Sequence, residues 1–517
     1  MNPIFLVLTF PLLISAVPAS AQFTYQNPVI PGDHPDPSII RVGNDYWATA
    51  TSSEWGPEFP LLHSIDLVNW KLEGAVFAHR PAWARGNFWA PEISVFKGRY
   101  HIYYVARKKD GPLAVAVATA DNPAGPYTDR GPLVAQDAGS IDPVPFNDEK
   151  GNPYLIWKED GNSRRLPTII WAQPLDESGT RLLGQPKELI RNDAGWEGAV
   201  VEGAFVVRRG EWFYLFYSGN GCCGTGCTYA LGVARSHSLM GPWEKNPANP
   251  ILAGNNDWRC PGHGSIVNDE QGRYWLLYHA YAAASSVFTG REGLLDEVKF
   301  GVNDWPTIND GKGPSSKSTT PIQQPQRKGQ FAFEDDFSAT HLRPDWQWPQ
   351  DNEPGIESGG GRLKLSVAPG HGTNLLAAIL ALPCITADYT ATTVLDTSSL
   401  KNGDRAGLSA FGDGGNAMGL TYGDGKLVLW HREKGNHKQL TEMSAPKTDR
   451  IFLRLVTKKG YRFQFASSPD GKVWTSIGED LPGTSLPPWD RSIRVALTTG
   501  GSANATAVFH SLKIIPQ

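Results

Sequence analysis

Five times between residues 43 and 272 the chain repeats one short pattern: a few apolar residues, a turn glycine, then an aromatic-rich strand. The glycines are Gly43, Gly98, Gly151, Gly210 and Gly272, opening GNDYWATAT, GRYHIYYV, GNPYLIW, GEWFYLFYS and GRYWLLYH. Each is a hairpin signature, a turn residue followed by alternating apolar positions. The glycines stand 53 to 62 residues apart, room for one four-stranded sheet per repeat. Five such sheets set radially make a five-bladed β-propeller. Composition agrees: 55 Gly, 40 Pro and 18 Trp in 517 residues suit short strands and tight turns and argue against helical bundles. The chain reads as all-β.

The segment before each turn should be the first strand of its sheet, the one nearest the axis. These segments read DPSIIRV, APEISVF, DPVPFND, EGAFVVRR and HGSIVND. A polar group recurs seven to nine residues ahead of the glycine: Asp36, Asp142, Glu202 and His263, with Trp89-Ala90-Pro91 holding the place in the second repeat. Radial symmetry then directs three carboxylates and one imidazole at a common axial point. Taken singly, Asp36-Pro37 and Asp142-Pro143 are ordinary turn starters. Their recurrence at one phase of a fivefold repeat makes them a candidate site.

Cleaving a glycosidic bond takes a carboxylic acid to protonate the leaving oxygen and a carboxylate to activate water or attack the anomeric carbon. A third carboxylate nearby raises the acid's pKa by like-charge repulsion. Asp36, Asp142 and Glu202 meet that need. The competing use is metal binding, since three carboxylates with His263 could hold Ca²⁺. Sugars also need apolar platforms, and Trp55, Trp83 and Trp89 lie on loops leading into the first two repeats.

Residues 25 to 310 resemble glycoside hydrolase family 43, whose catalytic domain is a five-bladed propeller. The resemblance is carried by NPVIPGDHPDPSIIRVGNDYWATAT and HSIDLVNW. It implies Asp36 in HPDPS as general base, Asp142 in SIDPVPF as the orienting and pKa-modulating residue, and Glu202 in VEGAFVV as general acid. It further implies that His263 in PGHGSIV is the axial histidine that contacts a central cation or water, and that Trp89 and Arg291 line the sugar pocket, as in related β-xylosidases. Two departures bear on the substrate. Ser53-Glu54-Trp55 stands where those enzymes tend to have Phe before Glu-Trp, removing one apolar wall, and the CCGTGC insertion at 222–227 is absent from most of the family.

Residues 309–330 are rich in Gly, Pro, Ser, Thr and Gln without apolar period and read as a linker. Residues 331–517 then alternate short strands with Gly and Asp-Gly turns, the spacing of a two-sheet sandwich. DDFS, DWQW and SSPDGKVW in it resemble the concanavalin-like (jelly-roll) module of many family 43 β-xylosidases and arabinofuranosidases. Such a module either packs on the propeller and shapes the pocket mouth, the reading favoured here, or binds polysaccharide independently through Trp346, Trp348 and Trp430.

Residues 1–21 read as a secretory signal peptide, with an apolar run ending in Ala19-Ser20-Ala21, so the catalytic domain spans 22–308 and the mature protein is expected to be secreted or periplasmic. Export permits disulfides. Pairing among Cys222, Cys223 and Cys227, with Cys260 within reach, is favoured over a zinc site, and one of five cysteines must stay unpaired. No later run is long enough to span a membrane, and a net charge of −4 with 19 % charged residues offers nucleic acid no basic stripe. The expected activity is a secreted, inverting, exo-acting glycosidase that needs no cofactor beyond a structural Ca²⁺ and releases terminal α-L-arabinofuranose or β-D-xylose from plant polysaccharide. The rivals are an endo-arabinanase-type or galactan-active hydrolase of the same fold and a non-catalytic sugar-binding propeller.

Overall fold

The computed structural model describes residues 23–322, 324–327 and 332–517; the signal-peptide reading of 1–21 lies outside them. The protein is all-β, with five short 3-10 turns among the described residues. Its first part consists of five four-stranded antiparallel sheets. Their first strands are Ser38–Val42, Ala84–Phe96, Ser140–Asn147, Val201–Arg209 and Trp258–Asn268, and these touch one another in a closed cycle. The five turn glycines all have positive φ, between 62° and 85°. Nothing lies within 4 Å of where a Cβ would stand, so the left-handed backbone, not crowding, calls for glycine.

The aromatic strands build the core by alternation. In GRYHIYYV, Tyr104 packs with Phe59 and Phe88 between the first and second sheets, while its neighbour Tyr103 packs with Leu155 and Trp157 between the second and third. Tyr214 and Phe216 likewise face the fifth sheet as Phe213 and Leu215 face the third. A last cluster, with Ile39, Tyr46, Trp275 and Leu277, joins the fifth sheet to the first. A strand pinned between two neighbours has no solvent face, which is why these segments read as nearly continuous apolar runs.

Residues 309–322 are docked on the propeller part and are not a free linker. Lys317–Thr319 pairs with Thr24–Gln26, and Asn27 Nδ2 donates to the Ser315 carbonyl. The docking is through backbone groups, so it leaves no apolar period in the sequence. The C-terminal part is a sandwich of an eight-stranded and a six-stranded sheet around one continuous core. Its strand Tyr389–Asp396 alternates buried and half-buried residues, as one covered face requires.

The two parts share a close interface. Trp348–Pro349 pairs with Trp55–Gly56 as a two-stranded sheet. Trp55 is 2 % exposed and packs with Leu376, Ile379, Phe411 and Trp430 of the sandwich. Asp33 accepts from Ser492 N and is ion-paired with Arg494 at 3.3 Å, both side chains buried. Trp55 is therefore an interface residue and no sugar platform. Trp83, whose Nε1 donates to Asp129 and whose ring packs beside Tyr104, is not one either. The independent binding surface fares no better: Trp346 and Trp430 are buried and Trp348 is half-buried.

Candidate active site

At one end of the closed cycle each first strand bends sharply. Asp36, Ala90, Asp142, Gly203 and His263 all have positive φ, between 39° and 58°, one per sheet at the phase marked out in the sequence. Register shifts at Trp89/Glu92, Ile141/Val144, Glu202/Phe205 and Gly262/Ser265 show the extra residue of a bulge in four of the five. Bulges of this kind re-aim side chains. Here they turn them out of the sheet plane and into a cavity of about 470 Å³, with a wall of Asp36, Trp89, Asp142, Glu202, His263 and Arg291. Gly203 is obligatory, because a Cβ there would stand 2.8 Å from His263 Cγ.

Asp36 is wired for permanent charge. Arg291 donates to its Oδ1 at 2.9 Å and Thr51 Oγ1 to its Oδ2 at 2.7 Å. Thr51 Oγ1 in turn accepts the Ala90 N–H, tying the first bend to the second. His279 Nδ1 accepts the Asp36 N–H at 3.0 Å. Burial, the largest influence on His279, pushes it down to about 4, so it is neutral and this contact is a hydrogen bond. Burial works to raise the Asp36 carboxyl, but Arg291 above all, with His263, outweighs it and holds it far below the usual carboxylate range.

Across the cavity the balance reverses. Burial, with the charges of Glu202 and Asp36, pushes Asp142 up to about 6 against the opposing pull of His263 and Lys158. Its Oδ2 accepts only the Gly203 N–H at 2.9 Å. Glu202 has both oxygens engaged, by Lys158 Nζ at 2.6 Å and Tyr229 OH at 2.9 Å. Burial works to raise it too, but Lys158 outweighs burial and keeps it below its ordinary value. Lys158 is itself buried, bridges Glu202 and Asp160, and is held firmly protonated by them against its own burial. Of these two carboxyls Asp142 is therefore the one that holds a proton, up to about pH 6, in the field of an ionised Glu202.

The sandwich completes the wall. Trp89 Nε1 donates to Ser53 Oγ, which donates to Asp490 Oδ2 at 2.7 Å, and Arg291 donates to the Asp490 carbonyl. Trp489, 61 % exposed, stands edge-on to Trp89 with centroids 6.1 Å apart. Ser53, the departure noted above, is thus the relay that ties the pocket to the sandwich, and Trp489 supplies an aromatic face beside it. Cys222 and Cys223 are disulfide-bonded to each other and line the same cavity. Cys227 pairs with Cys260, and Cys384 is the free, buried fifth cysteine.

Among the described residues no group of three or more His, Cys, Asp or Glu is arranged to hold a metal ion. His263 Nδ1 lies 3.5 Å from Asp36 and 4.0 Å from Asp142, a single nitrogen where Ca²⁺ calls for six to eight oxygens. Two side-chain cations already serve these carboxylates. These protein groups by themselves do not make up a calcium coordination shell.

The phase of the repeat pointed to Asp36, Asp142, Glu202 and His263 and the family resemblance to Trp89 and Arg291, and all six line the cavity. These sequence signals missed Lys158, His279, Thr51 and Tyr229, although a lysine inside YLIWKED and a histidine inside LLYHAY are polar groups in apolar strands and so call for a buried partner. They also missed Trp489 and Asp490.

A family model for glycosyl hydrolases family 43 matches residues 25–306, and one for a beta xylosidase C-terminal concanavalin A-like domain matches residues 334–488. Xylosidase/arabinosidase 43B of Humicola insolens is 29% identical over 497 residues, covering 88% of this chain and 89% of its own. Non-reducing end alpha-L-arabinofuranosidase BoGH43B of Bacteroides ovatus is 30% identical over 351 residues, 63% of this chain and 61% of its own. Among solved structures, the BlXynB protein of Bacillus licheniformis superposes with a TM-score of 0.80 at 27% identity, over 96% of this chain and all of its own.

Proposed function

The chain belongs to glycosyl hydrolases family 43 and is a glycosidase, and from the pocket we propose that it removes terminal pentose, α-L-arabinofuranose or β-D-xylose, with inversion. The carrying observation is that one cavity of about 470 Å³ is walled by Asp36 bound to Arg291, by Glu202 bound to Lys158, and by Asp142 with only a backbone N–H on it, so that like carboxyls sit in unlike surroundings. Inversion requires the two functions at opposite faces of the sugar, with their carboxyls roughly 6.5 to 9.5 Å apart and water between. Asp36 takes a proton from the attacking water; Arg291 and Thr51 orient the carboxylate that receives it, and His279 holds the Asp36 backbone N–H. Glu202 delivers the proton to the leaving oxygen, and Asp142 holds that proton in the free enzyme while Lys158 neutralises Glu202. Trp89 and Trp489 bear on the sugar's apolar face. Support for exo action comes from the relative named for non-reducing ends and from a wall of the cavity contributed by a second domain. The five sheets are read as the blades of one propeller, and the two disulfides suit an oxidising compartment, in line with export.

A second reading has its own observation. Because the pair's proton rests on Asp142 when the site is empty, Asp142 is the alternative donor. Assay against a panel of nitrophenyl pyranosides and furanosides identifies the sugar, and proton NMR of the first-formed anomer tests inversion. A retained configuration contradicts the mechanism. Binding without hydrolysis across the panel contradicts the pentosidase assignment.

A further inference from the structure

We propose that the Cys222–Cys223 disulfide is the floor of a leaving-group subsite, an apolar plate on which the sugar or aglycone beyond the scissile bond rests. This rests on the pentosidase reading above and deepens it.

The first argument is position. Glu202 sits opposite Ser218 in the fourth sheet, and the chain leaves that strand at Gly219 and reaches Cys222 three residues later. The pair therefore belongs to the sheet that carries the proposed acid, and it lines the cavity together with Val200 and Asn220. The acid delivers its proton to the oxygen that joins sugar to leaving group. A wall built beside it meets the part that departs, whereas Trp89 and Arg291 stand with Asp36 at the other end.

The second argument is chemistry. The first part of the loop reads Gly219, Asn220, Gly221, Cys222, Cys223, Gly224, Thr225, Gly226, and within it the two cysteines supply the apolar side-chain surface that lines the cavity. Joined, they have no S–H to satisfy and present polarizable sulfur and methylene groups, the kind of surface on which a sugar's C–H face packs. Both are half-buried, open on the cavity side.

The third argument is rigidity. Thr228 N donates to Gly221 O at 2.9 Å, Thr228 Oγ1 donates to Asn220 Oδ1, and Gly224 N donates to Tyr281 OH. Cys227–Cys260 staples the far end of the loop to the fifth sheet, and Cys222 packs against the small buried cluster that contains this disulfide with Tyr229, Tyr281 and Val287. A plate held this way is set before substrate arrives, and preorganisation of that sort is what converts contact into affinity.

The test uses the full chain and the pentose disaccharide that the wild type hydrolyses. Cys222→Ser/Cys223→Ser is expected to raise KM for the disaccharide about tenfold, the scale of a lost apolar contact, with kcat within about twofold. Inhibition by the free pentose product, which fills only the other side, should stay within about twofold of wild type. An unchanged KM overturns the proposal, and so does an equal weakening of disaccharide and free pentose. Should the variant melt far below wild type, the half-buried pair in the wild-type enzyme is reduced with a phosphine to two new thiols, the buried Cys227–Cys260 remaining intact. The same split between KM and product inhibition is then expected, and its absence overturns the proposal. Failure of the parent reading looks different: the wild type hydrolyses no pentoside.

Discussion

The two ends of the pocket are built on opposite principles. At Asp36 two side chains donate to the carboxylate, Thr51 and Arg291, and Arg291 is itself anchored to the sandwich through the Asp490 carbonyl. At Asp142 a single backbone N–H donates, and all the polar partners of the pair come from the propeller part. The first end gains no proton near neutral pH, whereas the second holds one up to about pH 6. Identical functional groups thus acquire base and acid character from surroundings alone. The base end depends on the second domain, and the acid end does not.

The largest break in this comparison is Asp36→Asn. It removes the carboxylate to which Arg291 and Thr51 donate and should lower kcat/KM about a thousandfold, with thermal melting showing the fold intact. Activity near wild type would remove Asp36 from the mechanism. A smaller effect sharpens the dependence on the sandwich. Trp489→Ala should raise KM for a nitrophenyl pentoside about tenfold and leave kcat nearly unchanged, because Trp489 offers contact area and no charge. An unchanged KM would mean that the sandwich props the pocket without touching the sugar.

The smallest effect concerns the proton. With Asp142 raised to about 6, the pair carries its proton below that pH and loses it above, so kcat/KM of the wild type should fall as pH rises past about 6. Asp36, held far lower, adds no acid limb near neutrality. Lys158 favours the ionised forms of Asp142 and Glu202. Lys158→Met should therefore shift the falling limb to higher pH, whatever it does to the rate. A limb that stays in place would show that the lysine only packs.

The sequence pattern made the sheets and the axial site legible because both arise from repetition: a glycine fixes each hairpin, and each bend falls at one phase ahead of it. Lys158 and His279 were harder to see because they project from second strands, where the aromatic signal hides a single polar residue. Trp489 and Asp490 could not be read at all, since contacts between domains leave no local period. Trp55 was misassigned for a related reason. An aromatic residue on a loop near a sugar site looks the same whether it faces sugar or a partner domain, and here Phe411 and Trp430 claim it.

In the proposed mechanism Glu202 hands a proton to the leaving oxygen. The most direct measurement compares Glu202→Gln with wild type on a pentose disaccharide and on the corresponding nitrophenyl glycoside, whose leaving group departs without protonation. The account predicts a loss of at least about a hundredfold on the disaccharide and a far smaller one on the nitrophenyl substrate. Equal losses on both, or the selective loss appearing instead in Asp142→Asn, would contradict it.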